Sequence, residues 1–119
     1  MSSITQELGA YVSALQYSQI PSSAADMAKK CVLDAAANII YGRYTETGER
    51  ALAYATAFER GGTGSCDTFR SGSWPLETAA FLHAVMSRCA DLDDGNRFAM
   101  GHPGCVLVPV TLAAAQEYR

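Results

Sequence analysis

The chain has 119 residues, of which 49% are hydrophobic and 18% charged, enough for one domain with its own core. A net charge of −3 and the lack of any Lys/Arg block argue against nucleic acid as the main partner. The N-terminus has no signal-peptide pattern, and the longest apolar stretch, Cys105 to Ala115, is far shorter than the ~20 residues that span a bilayer. We therefore expect a cytoplasmic chain without a membrane partner.

The first half of the chain predicts three helices. The first covers Ile4 to Ser18, where apolar residues recur at helical spacing, and Ser3 with Gln6 forms a plausible capping box. The second is capped by Ser22 or Ser23 and ends before Gly42, the natural residue just after a helix end. The third covers Glu49 to Arg60. The second helix has the cleanest amphipathic pattern, and its expected core face consists of Met27, Ala28, Cys31, Val32, Ala35, Ala36, Ile39 and Ile40.

The second half predicts two further helices joined by polar loops. A Gly-, Ser- and Thr-rich loop contains a short extended piece around Cys66 to Arg70. The fourth helix starts with Pro75 and ends near Ala90. The fifth helix starts after His102-Pro103-Gly104 and runs through Val110 to Arg119. Pro109 must lie in its first turn or mark its true start. No segment alternates over strand length, and the predicted fold class is all-α, a multi-helix bundle.

The four cysteines, at positions 31, 66, 89 and 105, form no C-x-x-C pair. This spacing supports neither a zinc site nor a thioredoxin-like motif. Three of the four lie in Ala-rich helical patterns, which favours reduced thiols packed in the core.

Residues that carry chemistry concentrate between the fourth and fifth helices, from Asp91 to Gly104. This Gly-rich segment contains three carboxylates, Arg97 and His102. A histidine titrates near neutral pH, and a neighbouring carboxylate can orient it. Free N–H groups at the helix start near Gly104 would suit a carboxylate, and Arg97 could clamp one with two hydrogen bonds. These parts fit an enzyme that holds a polyacid and moves a proton beside a carboxylate.

Other interpretations of the segment remain open. An EF-hand matches only Asp91 and Asp93, because the later ligand positions carry the wrong residues. A divalent metal site would use Asp91, Asp93, Asp94 and His102, although their spacing is not a metal-ligand signature. The loop could also simply cap helices in water.

Three polar residues outside these schemes have less chemical promise. His83 lies in the middle of the fourth helix, where a partly buried structural role is favoured. Cys105 lies three residues after His102, so a Cys/His nucleophile is conceivable, but a packed thiol is favoured. Asp34 and Asn38, one helical turn apart, fit either the core or a subunit contact.

The polar segment also resembles a known family signature. The run Asp91-Leu92-Asp93-Asp94, then His102-Pro103-Gly104 and Val108-Pro109-x-x-Leu112-Ala113, is similar to that of the MmgE/PrpD family. That family includes 2-methylcitrate dehydratase, cis-aconitate decarboxylase and iminodisuccinate epimerase. Upstream pieces add to the resemblance, namely Ile20-Pro21, Cys31-Val32-Leu33-Asp34, Tyr41-Gly42 and Pro75-Leu76-Glu77-Thr78-Ala79-Ala80-Phe81.

The resemblance implies a helical N-terminal domain, followed in complete members by a smaller α+β domain. It implies a homodimer that uses neither a metal nor an organic cofactor and that binds a small polycarboxylate substrate at the domain boundary. Catalytic roles fall on Asp91 and His102, and Asp94 belongs to the same signature. The expected substrate-binding residues are Asp94, Arg97 and Gly104.

This chain departs from the family pattern in two ways. Gly95 stands where decarboxylase-like members carry threonine, and the segment before His102 is about one residue longer and contains Asn96-Arg97. Complete members are also several times longer, so we expect a piece of a two-domain enzyme that is inactive alone. The alternative is a non-catalytic helical module for oligomerisation or ligand binding.

Overall fold

Helices make up nearly all of the regular structure. A computed structural model describes residues 2–59, 64–69, 71–98 and 100–118. Its elements are α1 (Ile4–Ala14), a 3-10 turn (Tyr17–Gln19), α2 (Ser22–Gly42), α3 (Glu46–Phe58), β1 (Cys66–Asp67), β2 (Ser73–Trp74), α4 (Leu76–Arg88) and α5 (Gly104–Glu117). The two short strands pair antiparallel, with Cys66 opposite Trp74. The all-α prediction is confirmed. Among the described residues, no helix combines the length and hydropathy needed to cross a membrane.

The chain divides into two units, Met1–Lys30 and Cys31–Arg119. In the first unit, α1 begins as predicted, because Ser3 Oγ accepts the N–H of Gln6 and the Gln6 side chain accepts the N–H of Ser3. The helix ends at Ala14 rather than Ser18. The Gln19 side chain accepts the N–H of Gln16 at 2.8 Å, and this local bond starts a separate 3-10 turn. No residue of α1 is buried.

The second unit contains the core, where α4 packs against α3, α5 and the strand pair. The buried apolar cluster consists of Ile39, Ala51, Ala55, Cys66, Trp74, Ala79, Ala80, Leu82, Met86 and Ala113. Half of this set is alanine, so the helix backbones lie close together. The closest approach is at Gly42, where an added β-carbon would overlap the carbonyl oxygen of Met86. Only glycine fits there, and it is the last helical residue rather than the one after the helix.

Helix boundaries differ from the predictions for local reasons. In α2, Ala35 and Ile39 are buried as predicted. The prediction is wrong for four other residues of the expected core face, which are exposed, namely Met27, Ala28, Val32 and Ile40. The third helix starts at Glu46 because the Thr45 hydroxyl accepts the N–H of Gly48 at 3.1 Å. Its predicted end, residue 60, lies outside the described residues, as do residues 70 and 119 at the ends of two other predicted segments.

The last helix starts within one residue of the predicted place, but Pro109 needs a correction. α5 begins at Gly104, so Pro109 lies neither at its start nor in its first turn. The Pro103 carbonyl oxygen accepts the N–H groups of Val106 and Leu107, so the first turn forms before the proline. Pro109 therefore lies inside the helix, where it lacks the N–H that would bond the carbonyl four residues back. The loop that carries the polar residues consequently ends at the first turn of α5.

Candidate functional site in the loop between α4 and α5

The polar loop starts with a backbone conformation that few side chains tolerate. After α4, the N–H of Asp91 bonds the carbonyl of Arg88 at 3.2 Å. Asp91 has φ 55°, in the left-handed region where aspartate and asparagine are enriched among non-glycine residues. After this turn the carboxylate of Asp93 lies beside Arg88 at the end of α4.

Arg88 is the cation of the site. Its Nη1 donates to Asp91, and also to Asp93 Oδ1 at 3.2 Å. The Asp93 side chain is only 1% exposed, whereas that of Asp91 is 73% exposed. The hydrogen bond to Asp91 raises the pKa of Arg88 above its usual value, so the guanidinium stays charged. Arg88 was not among the residues predicted for the site. Its position three residues before Asp91, at the end of a predicted helix, could have indicated this pair.

His102 is fixed by one hydrogen bond and has a buried carboxylate beside it. Its Nδ1 lies 2.9 Å from the carbonyl oxygen of Asp94 and 3.4 Å from Asp93 Oδ2. A carbonyl oxygen can only accept, so Nδ1 carries the hydrogen and a neutral ring has its lone pair on Nε2. Nε2 has no hydrogen-bond partner in the described part of the chain. The imidazole is 36% exposed, which leaves it accessible to a ligand.

Asp94 ties the loop to the start of α5. The N–H of Gly104 donates to Asp94 Oδ1 at 2.7 Å, at a helix end where the backbone favours an anion. A β-carbon on Gly104 would overlap the same carboxylate. The N–H that was expected to bind a substrate carboxylate is thus bonded to a carboxylate of the chain itself.

The remaining loop residues form a closed tip. Asn96 and Gly101 exchange backbone hydrogen bonds of 2.8 and 3.3 Å, and the Asn96 side chain accepts the N–H of Phe98 at 3.0 Å. Arg97 is exposed, and its guanidinium lies 5.5 Å from the centre of the Phe98 ring. Among the described residues no carboxylate pairs with Arg97. The structure thus places Arg97 at the tip and Asp91, Asp94, His102 and Gly104 at the base.

Three of the four residues in the metal alternative come together. One ligand atom each from Asp91, Asp93 and His102 lies within 4.8 Å of the others. Asp94 is not in this group, since its carboxylate bonds Gly104. Arg88 already contacts both carboxylates of the cluster, so a metal ion would compete with a positive charge that is built into the chain.

Comparison with known proteins accounts for this combination of helices and loop. The model of the MmgE/PrpD N-terminal domain matches residues 6–119. The chain belongs to the MmgE/PrpD family. It is also 30% identical over 113 residues to the cis-aconitate decarboxylase-like protein oryM of Aspergillus oryzae, a match that covers 95% of this chain and 23% of that protein. The chain thus spans about a quarter of the length of this relative. No solved structure matches it significantly.

In this MmgE/PrpD domain, Cys105 contacts the loop but is not activated. Its thiol donates to the His102 carbonyl at 3.1 Å. Burial, with a smaller contribution from Asp93, raises the pKa of the Cys105 thiol. A nucleophilic cysteine needs the opposite shift, so the packed-thiol interpretation is the better one.

His83, the other histidine of this MmgE/PrpD domain, lies in the core. It is 0% exposed, and neither ring nitrogen has a hydrogen-bond partner. Burial lowers its pKa from 6.5 to about 4, so it remains neutral near pH 7. Its position fits the structural role that the sequence favoured.

A groove runs beside Arg88 between α3, α4 and α5. It has a volume of about 440 Å³, and Ala84, Val85, Val106 and Cys105 form its apolar wall. The Arg88 side chain is 43% exposed, and in the described part of the chain only its Nη1 nitrogen has a partner. The groove thus combines an apolar wall with a guanidinium that retains free donors.

Proposed function

We propose that this domain contributes proton-transfer and carboxylate-binding groups to an enzyme that acts on small polycarboxylic acids. The reaction would be a dehydration, a decarboxylation or an epimerisation at a carbon beside a carboxylate. The observation that carries the proposal is the fixed His102 ring, with Nδ1–H bonded to the Asp94 carbonyl and Nε2 without a partner. Membership of the MmgE/PrpD family and the similarity to a cis-aconitate decarboxylase-like protein support the same chemistry.

The geometry gives each group a role in the proposed step. Nε2 of His102 takes a proton from the substrate carbon, and the adjacent substrate carboxylate disperses the electron pair left behind. Asp93 lies 3.4 Å from Nδ1 and stabilises the imidazolium that forms. Asp91, the most exposed carboxylate of the cluster, serves as the second proton-transfer group. Returning a proton to the opposite face gives epimerisation, and loss of a β-hydroxyl as water, with the proton supplied by the protonated form of Asp91, gives dehydration. In a decarboxylation no C–H bond breaks first: the C–C bond to the carboxylate breaks, CO₂ leaves, and protonated His102 gives its proton to the carbon.

Substrate carboxylates need local cations, because the chain has a net charge of −3. Arg88 borders the groove with free donors, and Arg97 adds a second guanidinium at the loop tip. The Gly104 N–H joins them only if Asp94 turns away and a substrate carboxylate takes its place. Asp94 thus acts as an internal stand-in for the substrate anion.

The proposal is tested in the native polypeptide that contains this chain, with turnover of di- and tricarboxylic acids followed by proton NMR in D₂O. We expect His102→Gln to lower turnover at least about 100-fold, the lower end of the range for general acid–base groups, and Asp91→Asn to lower it sharply. Both variants should retain the wild-type circular dichroism spectrum. Asp26→Asn, which alters an exposed pair with Lys29, is the matched control. Unchanged turnover in His102→Gln would remove this residue from the mechanism.

Binding can be tested on the 119-residue chain itself. A bound citrate raises the melting temperature by mass action, and Arg88→Gln or Arg97→Gln should reduce the rise. No rise at high citrate would favour a non-catalytic helical module. Sedimentation velocity on the same samples tests the proposed homodimer, and the intact mass in source cells shows how long the native polypeptide is.

A further inference from the structure

A second cavity lies between α3 and α4, near the first residues of α4, whereas the ion pairs of the polar loop lie at its last residue. It has a volume of about 300 Å³, at the small end for ligand sites. Three aromatic side chains, Tyr54, Phe58 and Phe81, and two carboxylates, Glu59 and Glu77, line it. None of these residues belongs to the site proposed above.

The three rings form one connected wall. Tyr54 and Phe58, one turn apart on α3, stack with centroids 5.8 Å apart and planes at 17°. Phe81 of α4 meets Tyr54 edge-on, with centroids 6.1 Å apart and planes at 62°. All three rings remain substantially exposed, at 59%, 72% and 44%. Their electron-rich faces are therefore available to a ligand.

The carboxylates at this wall lack the partners that other acids of the chain have. Thr78 Oγ1 donates to Glu59 Oε1 at 2.9 Å, which fixes that carboxylate without neutralising it. No cation among the described residues pairs with Glu59 or Glu77. On α3, by contrast, Glu46 pairs with Arg50 at 2.6 Å. The cavity thus combines two uncompensated negative charges with aromatic faces.

We propose that this cavity binds an organic ammonium ion, specifically an alkyl or quaternary ammonium group. Aromatic faces attract such a cation through their quadrupole, and nearby carboxylates add direct charge attraction. A hard metal ion is a poor fit because it needs about six oxygen ligands, and the ring wall offers few. An anion is disfavoured by Glu59 and Glu77. The ligand class therefore follows from the charge and the rings together.

The first test is a titration of the whole chain with tetramethylammonium chloride, monitored by amide and aromatic NMR shifts, with sodium chloride at equal ionic strength as the blank. We expect saturable shifts centred on Thr78 and Phe81, with a millimolar dissociation constant, because exposed cation–π contacts are weak. Choline should bind, and its neutral isostere 3,3-dimethylbutan-1-ol should bind at least about fivefold more weakly.

Two variants separate the ring and charge contributions. Tyr54→Leu keeps an apolar side chain without a π face, and Glu59→Gln keeps the shape without the charge. Each should weaken tetramethylammonium binding about fivefold. The matched controls are Tyr17→Leu, an exposed ring elsewhere, and Glu46→Gln, which should bind like wild type.

Three results would overturn the proposal. These are the lack of saturable shifts, equal binding of choline and the neutral alcohol, and wild-type affinity in both cavity variants. Shifts that depend on protein concentration without ligand would show that a second copy covers the wall, and that result also rejects an ammonium site. The turnover assays of the polar loop are independent of all of these measurements.

Discussion

The two histidines of this chain occupy opposite environments. His83 lies in the middle of α4 with no exposed surface and no partner for either ring nitrogen. His102 lies just before α5, 36% exposed, with two oxygens within 3.4 Å of Nδ1. Burial without partners keeps a histidine neutral and inert, whereas a polar loop fixes its tautomer and leaves one nitrogen free. The same residue type is therefore a buried core residue in one region and, in our proposal, a proton-transfer group in the other.

The His83 region also includes a residue with a strained backbone conformation. The His83 ring packs against Phe69 with centroids 5.1 Å apart, and Phe69 has φ 41°. A large non-glycine side chain in that conformation is strained. The packing around His83 thus stabilises a turn that would otherwise be unfavourable.

The largest expected effect is a decrease in the free energy of unfolding at acid pH, which is caused by His83. The unfolded chain takes up a proton near the usual pKa of 6.5, whereas the folded chain does so only near 4. The free energy of unfolding is therefore unaffected above pH 6.5 and falls as the pH drops to about 4, by on the order of 3 kcal/mol in total. Urea unfolding at pH 7, 5.5 and 4 measures this loss.

His83→Leu is the matched control for the acid effect. It replaces two unpaired nitrogens with apolar atoms and should remove this part of the pH dependence, leaving only the contribution of the carboxylates. Stability at pH 7 should change little, because removing an unsatisfied polar group offsets imperfect packing. An identical pH profile in wild type and variant would show that His83 is not the source.

The second effect concerns how the His102 region is held. Asp94→Ala removes the 2.7 Å bond to the Gly104 N–H and should lower the free energy of unfolding by about 1–2 kcal/mol, as for other caps at helix starts. Asp91→Asn removes the charge from an exposed ion pair, keeps a residue type that tolerates φ 55°, and should cost less than about 1 kcal/mol. Urea midpoints at a constant m-value measure both. A greater loss in Asp91→Asn would reverse our assignment of the anchoring carboxylate.

The smallest effect is expected at Gly95. An added β-carbon there meets nothing within 4 Å, so Gly95→Thr should change the free energy of unfolding by no more than about 0.5 kcal/mol. The melting temperature should stay close to that of wild type, and Gly42→Ala should lower it clearly. With the fold unchanged, a shift in substrate preference of the native polypeptide would be assigned to the threonine itself. A strong loss of stability would show that the loop is more tightly packed than its geometry indicates.

Local signals were sufficient for much of the helical fold. The Ser3–Gln6 capping box and the start of α4 after Pro75 follow from a few neighbouring residues, and both are confirmed. Pro109 was expected in the first turn of α5 or at its start, but it lies further into the helix, because the Pro103 carbonyl accepts the first helical bonds. Such bonds depend on how the loop enters the helix, which spacing along the chain does not encode.

The site was only partly predictable for a similar reason. The sequence placed Asp91, Asp94 and His102 in one loop, but contact between Asp93 and His102 requires the loop to fold back over nine residues. The central position of Asp93 and the contact of Arg88 with both carboxylates depend on that fold. Helical spacing alone could have indicated only the pair of Arg88 and Asp91.

The close approach at Gly42 sets the distance between the end of α2 and α4, and thereby the position of the polar loop that follows α4. Met86, whose carbonyl lies against Gly42, is two residues before Arg88 on the same helix. A methyl group at position 42 would push α4 away, and Arg88 would move with it because a helix is rigid over such a short distance. Asp91 and Asp93 would then lose their shared donor, although neither touches position 42. The alignment of the charged cluster is thus tuned by a residue that has no side chain and no charge.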